Sequence, residues 1–121
     1  MNWLESWRNR RAVRRFSQVH VRDLRTEELE RQGRWAQLAA ELDAIAGEYA
    51  KLTRVVDYHT SLVSARLRRC EALVRAGQRA QAKAEAARLA EVLTDLEGPD
   101  GPTLRLLAQR LAVAERESGG G

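Results

Sequence analysis

The sequence predicts an all-α protein, a small bundle of four to five antiparallel helices. The composition is 44% hydrophobic with only 5% aromatic residues and two prolines, and the residues that dominate it, such as Ala, Leu, Arg and Glu, are strong helix formers. From Trp35 onward, apolar residues recur at three- and four-residue steps, the spacing of an amphipathic helix. Glycine and proline interrupt that pattern at Gly77 and at Gly98–Pro102. The bundle is therefore expected to contain a long central helix or two stacked helical hairpins.

The chain begins with a basic segment rich in tryptophan and arginine. Residues 3–16 have a helical composition, whereas residues 16–24 (FSQVHVRDL) alternate apolar and polar residues only imperfectly and are predicted to form an extended link or a frayed turn. Thr26 is a candidate N-cap for the helix that follows. We therefore expect a head and link at residues 1–25, a single helical domain at residues 26–117 and a frayed tail at residues 118–121.

The central part of the chain carries a heptad-like apolar seam. Its positions alternate between three- and four-residue steps, and only His59 and Arg66 are polar: Trp35, Leu38, Leu42, Ile45, Tyr49, Leu52, Val56, His59, Val63, Arg66, Cys70 and Leu73. Either one long helix passes through Gly47, or two helices are broken near Gly33 or Gly47. The unbroken phase of the seam favours the long helix.

Two further helices follow the central one. Gly77 is predicted to end the preceding helix, with Arg75 in its last turn. Residues 78–97 carry an alanine- and leucine-rich stripe typical of a thin helix that approaches its neighbours closely. The segment Gly98–Pro102 breaks the pattern, and Pro102 or Thr103 opens a last helix.

Two segments of the chain resemble each other at an offset of 44 residues. Residues 31–41 (RQGRWAQLAAE) and 75–85 (RAGQRAQAKAE) share Arg, Gly, Ala, Gln, Ala and Glu at equivalent positions. Residues 64–93 resemble a tetratricopeptide-type helical hairpin, with Gly77 like its turn glycine and Ala82 like its small packing residue. Residues 26–47 extend this resemblance, since Trp35 follows Gly33 as an aromatic often follows that turn. The resemblance implies a groove that holds a peptide or a helix. The period departs from that family's, which is about 34 residues.

The sequence contains no recognisable catalytic or metal-binding pattern. Cys70, the only cysteine, has no neighbouring histidine, and His20 and His59 each lack companion ligands at helical spacing. We therefore expect a non-enzyme without a catalytic residue, metal or cofactor. A lone cysteine forms no intrachain disulfide, which favours a reducing cytoplasm. Glu5 and the arginines after it argue against a signal peptide.

The excess positive charge is concentrated in the head. The whole chain carries a net charge of +4, and residues 1–25 alone contain seven arginines against Glu5 and Asp23. Arginine and tryptophan recur at protein-binding hot spots, and arginine also contacts phosphates. The candidate partner-binding residues are Trp3, Trp7, Arg8, Arg10, Arg11, Arg14, Arg15 and Phe16.

Several uses of this head compete. One hypothesis is that the head binds a protein partner, so that the protein is a helical adaptor or assembly subunit within a larger complex. The other is that the head binds a nucleic-acid backbone as an accessory protein. An anionic membrane surface ranks last. The purely structural alternative is that the tryptophans cap the protein's own bundle while the arginines are solvated. Self-association through the seam is a related hypothesis.

Overall fold

The computed structural model describes residues 2–53 and 59–118 and contains five helices in that part of the chain. They are α1 (Trp3–Arg31), α2 (Trp35–Leu52), α3 (His59–Arg75), α4 (Arg79–Glu97) and α5 (Pro102–Ser118). Of the residues described, 89% are helical and none lies in a strand. The prediction of an all-α bundle of four to five helices is confirmed.

The first helix is continuous, so the prediction of an extended link at residues 16–24 is wrong. Asn2 caps α1, because its side-chain oxygen accepts a hydrogen bond from the Glu5 backbone N–H at 3.1 Å. Ala12, Val19 and Thr26, seven residues apart, are the buried positions of α1. Thr26 is therefore not an N-cap, and the expected boundary between residues 25 and 26 lies inside α1.

The prediction of a long central helix is also wrong. Helix α2 does pass through Gly47, but it ends at Leu52, where the Thr53 N–H bonds to the Tyr49 carbonyl at 3.0 Å. Helix α3 packs back against α2, and the Arg69 guanidinium reaches the Ala39 carbonyl at 2.6 Å. One straight helix would hold these two residues about 45 Å apart. Val56 of the predicted seam lies outside the described residues, as do residues 119–121 of the predicted tail.

The breaks at Gly33 and Gly77 are two copies of one turn. Both glycines have positive φ, 68° and 81°, which only glycine adopts readily. Beyond each glycine a backbone N–H returns to the carbonyl five residues earlier, from Arg34 to Leu29 at 3.0 Å and from Gln78 to Leu73 at 2.9 Å. This is the Schellman pattern. The turns are 44 residues apart, at the offset where the two sequence segments match.

Helix α3 lies in the middle of the bundle. On one side its Ala65 packs with Ile45 and Tyr49 of α2, and α1 covers that cluster through Ala12 and Val19. A second cluster joins α3 to α4 and α5; its buried members are Leu67, Cys70, Leu89, Leu93 and Leu107. Helix α1 therefore forms one edge of the bundle, and α4 with α5 forms the other.

Candidate partner-binding surface on the first helix

Helix α1 has two opposite faces with different roles. One face buries Ala12, Val19 and Thr26 in the bundle. The opposite face is defined by positions that alternate between four- and three-residue steps, the spacing that keeps residues on one side of a helix. We call it the outer face; it consists of Trp3, Trp7, Arg10, Arg14, Ser17, Val21 and Leu24.

Four large apolar side chains of the outer face lie in solvent. Trp3, Trp7, Val21 and Leu24 are between 44% and 72% exposed. Preceding Ala12, every described side chain of α1 is exposed except Ser6, which is half-buried. A single exposed apolar residue is ordinary, but two neighbouring exposed tryptophans are typical of an interaction surface. Val21 and Leu24 form a second exposed pair farther along the same face, beyond Arg10, Arg14 and Ser17.

The arginines of the head are largely unengaged. Arg8, Arg10 and Arg14 are exposed and form no ion pair with any residue that the structure describes. The Arg11 guanidinium lies over the Trp7 ring, 5.3 Å from its centroid, a cation–π contact that restricts the indole. The outer face therefore combines exposed aromatic surface with the positive charge of Arg10 and Arg14, which no described residue neutralises.

Two of the predicted site residues serve the bundle. The Arg15 guanidinium pairs with the Glu48 carboxylate of α2 at 3.1 Å. Phe16 is half-buried, and its ring centroid lies 5.7 Å from that of Tyr49. The structure thus brings Trp3, Trp7, Arg10 and Arg14 together and turns Arg15 and Phe16 towards α2.

Val21 and Leu24 belong to the outer face but were missed in the sequence. They lie in residues 16–24, where the imperfect alternation of apolar and polar residues predicts an extended link and hides their helical spacing. The signal is nevertheless present, because the four-and-three steps from Trp3 continue through Arg14 and Ser17 to both residues.

A polar network holds the inner face of α1 to α2 and α3. The Arg68 guanidinium donates to the Asp23 carboxylate at 2.7 Å and to the Thr26 hydroxyl at 2.8 Å. The buried Tyr49 hydroxyl donates to the other Asp23 oxygen at 3.2 Å. Burial, followed by the Asp23 charge, raises the pKa of Tyr49 to about 12. The network fixes the rotation of α1, and therefore which residues its outer face presents.

The described residues include one buried thiol and no metal-ligand cluster. Cys70 is buried, and burial, with a contribution from the Glu85 charge, raises the pKa of its thiol to about 11. No group of three His, Cys, Asp or Glu side chains in residues 2–53 and 59–118 could hold a metal ion. Among the helices described, none has the length and apolar character required to cross a membrane.

Comparisons with known proteins identify no relative of this chain. No family model, no curated protein and no solved structure matches the chain.

Proposed function

We propose that the protein is a non-catalytic, cytoplasmic helical adaptor or assembly subunit that binds a protein partner through the outer face of α1. The observation that carries the proposal is that Trp3, Trp7, Val21 and Leu24 are exposed on the face of α1 opposite the one it buries. A helix with apolar residues on two opposite sides has more apolar surface than its own bundle covers.

The chemistry of the outer face favours a protein over a small molecule. Trp3 and Trp7 offer large, rigid contact areas with few rotatable bonds, and arginine accompanies tryptophan at protein-binding hot spots. Seven-residue spacing is the pattern by which one helix packs along another. A partner that presents an apolar helical stripe with acidic flanks fits this face.

The matching turns at Gly33 and Gly77 support a further part of the proposal. They divide the chain into helical pairs, α1 with α2 and α3 with α4, that share one turn geometry. We take these pairs as tetratricopeptide-like hairpins, the architecture that the sequence resemblance implies. A scaffold of this kind is consistent with an adaptor.

The test compares two pairs of alanine substitutions, one on the outer face of α1 and one on α4. Trp3→Ala with Trp7→Ala removes the anchors of the outer face and is expected to weaken binding to a purified partner at least tenfold, or about 1.4 kcal/mol. Val92→Ala with Leu96→Ala is the matched control, because both are exposed apolar residues on α4, away from α1. Circular dichroism should show unchanged helix content in both. Equal effects of the two pairs, or no stoichiometric protein partner for the unmodified chain, would refute the proposal.

The unpaired arginines support a second candidate function, the binding of a nucleic-acid backbone. If Arg8, Arg10, Arg11 and Arg14 each neutralise about one phosphate, the logarithm of the binding constant falls with the logarithm of salt concentration at a slope near −4. Each Arg→Gln change should reduce the slope by about one without altering sequence preference. Arg15→Gln is the control, since Glu48 already holds that side chain. Absence of any DNA or RNA binding at low salt excludes this function.

A further inference from the structure

A cavity separate from the outer face of α1 lies where α2, α3 and α4 meet. Its volume is about 350 Å³, within the size range of small-molecule sites. Apolar side chains from all three helices line it: Ala46, Leu62, Val63, Leu89 and Val92. We call this cavity the central groove. Its apolar lining is suited to the hydrocarbon part of a ligand.

One ion pair in the central groove fixes how α3 and α4 face each other. The Arg69 Nε lies 2.9 Å from the Glu85 carboxylate, and both residues line the groove. Helices α3 and α4 pack together on either side of the short turn at Gly77, so they run antiparallel. A step of three residues back along α3 is therefore matched by a step of three residues forward along α4. This register places Arg66 opposite Arg88.

Arg66 and Arg88 carry positive charge that the described residues do not neutralise. Both are exposed, both line the central groove, and neither forms an ion pair with a residue in the described ranges. The two carboxylates that line the groove, those of Glu85 and Asp43, lie 2.9 and 3.9 Å from the Arg69 Nε. Two cations that face each other across a helix pair repel, and an anion held between them removes that repulsion.

Arg69 offers a further donor to such an anion. Its side chain is only 12% exposed. The Nε donates to Glu85 and the Nη1 donates to the Ala39 carbonyl at 2.6 Å, whereas the Nη2 donates to no residue that the structure describes. With three arginines and two carboxylates in its lining and His59 neutral, the groove has a net charge of +1. A ligand with one negative charge balances it.

We propose that the central groove binds a small amphipathic carboxylate. The carboxylate lies between the guanidinium groups of Arg66 and Arg88, which suit a two-oxygen anion because each presents a planar fork of N–H donors. The apolar part of the ligand packs against Val63, Leu89 and Val92. This site is independent of the outer face of α1 and of the function proposed for it.

The first experiment uses octanoate as the probe, with two ligands that each lack half of its chemistry. Titration calorimetry should show one octanoate bound per chain, and octanoate should raise the thermal unfolding temperature because it binds the folded state. Octanol keeps the apolar chain without the charge, and inorganic phosphate keeps an anion without the chain. Each should bind at least about tenfold more weakly than octanoate.

The second experiment changes the arginines of the site. Arg66→Gln with Arg88→Gln should weaken octanoate binding at least about tenfold and leave octanol binding unchanged. Arg79→Gln with Arg105→Gln is the matched control, because it removes the same charge from exposed positions that do not line the groove. If circular dichroism shows that the first pair loses helix content, Val92→Asn replaces it. Val92 is 50% exposed, and a polar side chain there should also weaken octanoate binding.

Three results would overturn the proposal. The first is an unmodified chain that shows no saturable binding of octanoate at millimolar concentration. The second is phosphate binding as tight as that of octanoate, which would make the groove a general anion site. The third is octanoate binding that the Arg66 and Arg88 substitutions weaken no more than the control pair does. None of these results bears on the outer face, whose function is tested by the Trp3 and Trp7 substitutions.

Discussion

Arg68 and Arg69 are adjacent in sequence but tie α3 to opposite sides of the bundle. The Arg68 guanidinium reaches the Asp23 carboxylate of α1 at 2.7 Å. The Arg69 guanidinium reaches Glu85 of α4 at 2.9 Å and also the Ala39 carbonyl of α2. Successive residues on a helix point about 100° apart, so one pair of arginines secures three neighbouring helices.

Removing Arg68 should destabilise the protein more than removing a solvated arginine of the same helix. Arg68→Ala leaves the largely buried Asp23 carboxylate without its cation and is expected to lower the free energy of unfolding by about 2–3 kcal/mol. Arg66→Ala is the control, because Arg66 is exposed and forms no ion pair with a described residue. Its effect should stay within about 0.5 kcal/mol. Urea unfolding curves measure both changes, and equal effects would show that the network adds nothing.

Cys70 should be unreactive until the protein unfolds. Its pKa, raised from 9.0 to about 11 in the fold, reduces the thiolate fraction at pH 8 about a hundredfold relative to the unfolded chain. Because the folded protein holds the thiol proton more tightly than the unfolded chain does, the resulting stabilisation of the fold is fully present below pH 9. It is lost as the pH rises from 9 towards 11. Reaction with a thiol reagent at pH 8 should therefore track unfolding by urea. Rapid labelling of the native protein would contradict the burial of the thiol.

At the scale of the helices, two glycines with opposite roles provide a matched test. Gly77 has a φ of 81°, so Gly77→Ala should destabilise the turn by about 1 kcal/mol. Gly47 lies inside α2, and a Cβ added there meets nothing within 4 Å. Gly47→Ala should therefore stabilise the protein by up to about 1 kcal/mol. Thermal unfolding should separate the two variants, and shifts of the same sign would refute this assignment of roles.

The helices that the sequence predicted well are those bounded by strong breakers. Helices α4 and α5 begin and end within a residue or two of their predicted positions, since Gly77 and Gly98–Pro102 interrupt the pattern. The boundary between α2 and α3 was missed because the apolar seam continues in phase across it. His59 and Arg66, the polar members of that seam, are exposed in α3. These two exceptions indicate that the seam departs from the buried face at the start of α3, whereas its members Cys70 and Leu73 are buried.

The inner face of α1 could not be found from apolar periodicity. Two of its three buried residues are the small Ala12 and the polar Thr26, so the face that packs is less apolar than the one left in solvent. The composition of the head alone indicates Trp3 and Trp7 as candidates, whereas Val21 and Leu24 share their face only because residues 16–24 are helical. Tertiary contacts, including the Asp23–Arg68 pair, determine which face of α1 is buried, because the local apolar pattern does not.

For the molecule as a whole, α1 is part of the bundle and also its most exposed surface. Its residues before Ala12 lie almost wholly in solvent, whereas Ala12 and Val19 join the cluster around Ile45 and Tyr49. The proposed anchors Trp3 and Trp7 therefore precede the first buried residue of α1, and truncation should separate partner binding from folding. This differs from the division at residue 25 that the sequence indicated.

Two truncations should give sharply different results. Removal of residues 1–10 takes away Trp3 and Trp7 but no buried side chain, so partner binding should be lost while the free energy of unfolding changes by no more than about 1 kcal/mol. Removal of residues 1–19 also deletes Phe16 and uncovers Tyr49, which should lower the free energy of unfolding by at least about 3 kcal/mol. Circular dichroism and urea unfolding measure both. Equal stability of the two truncated proteins would mean that the packing of α1 on α2 contributes little, and the bundle would then begin at α2.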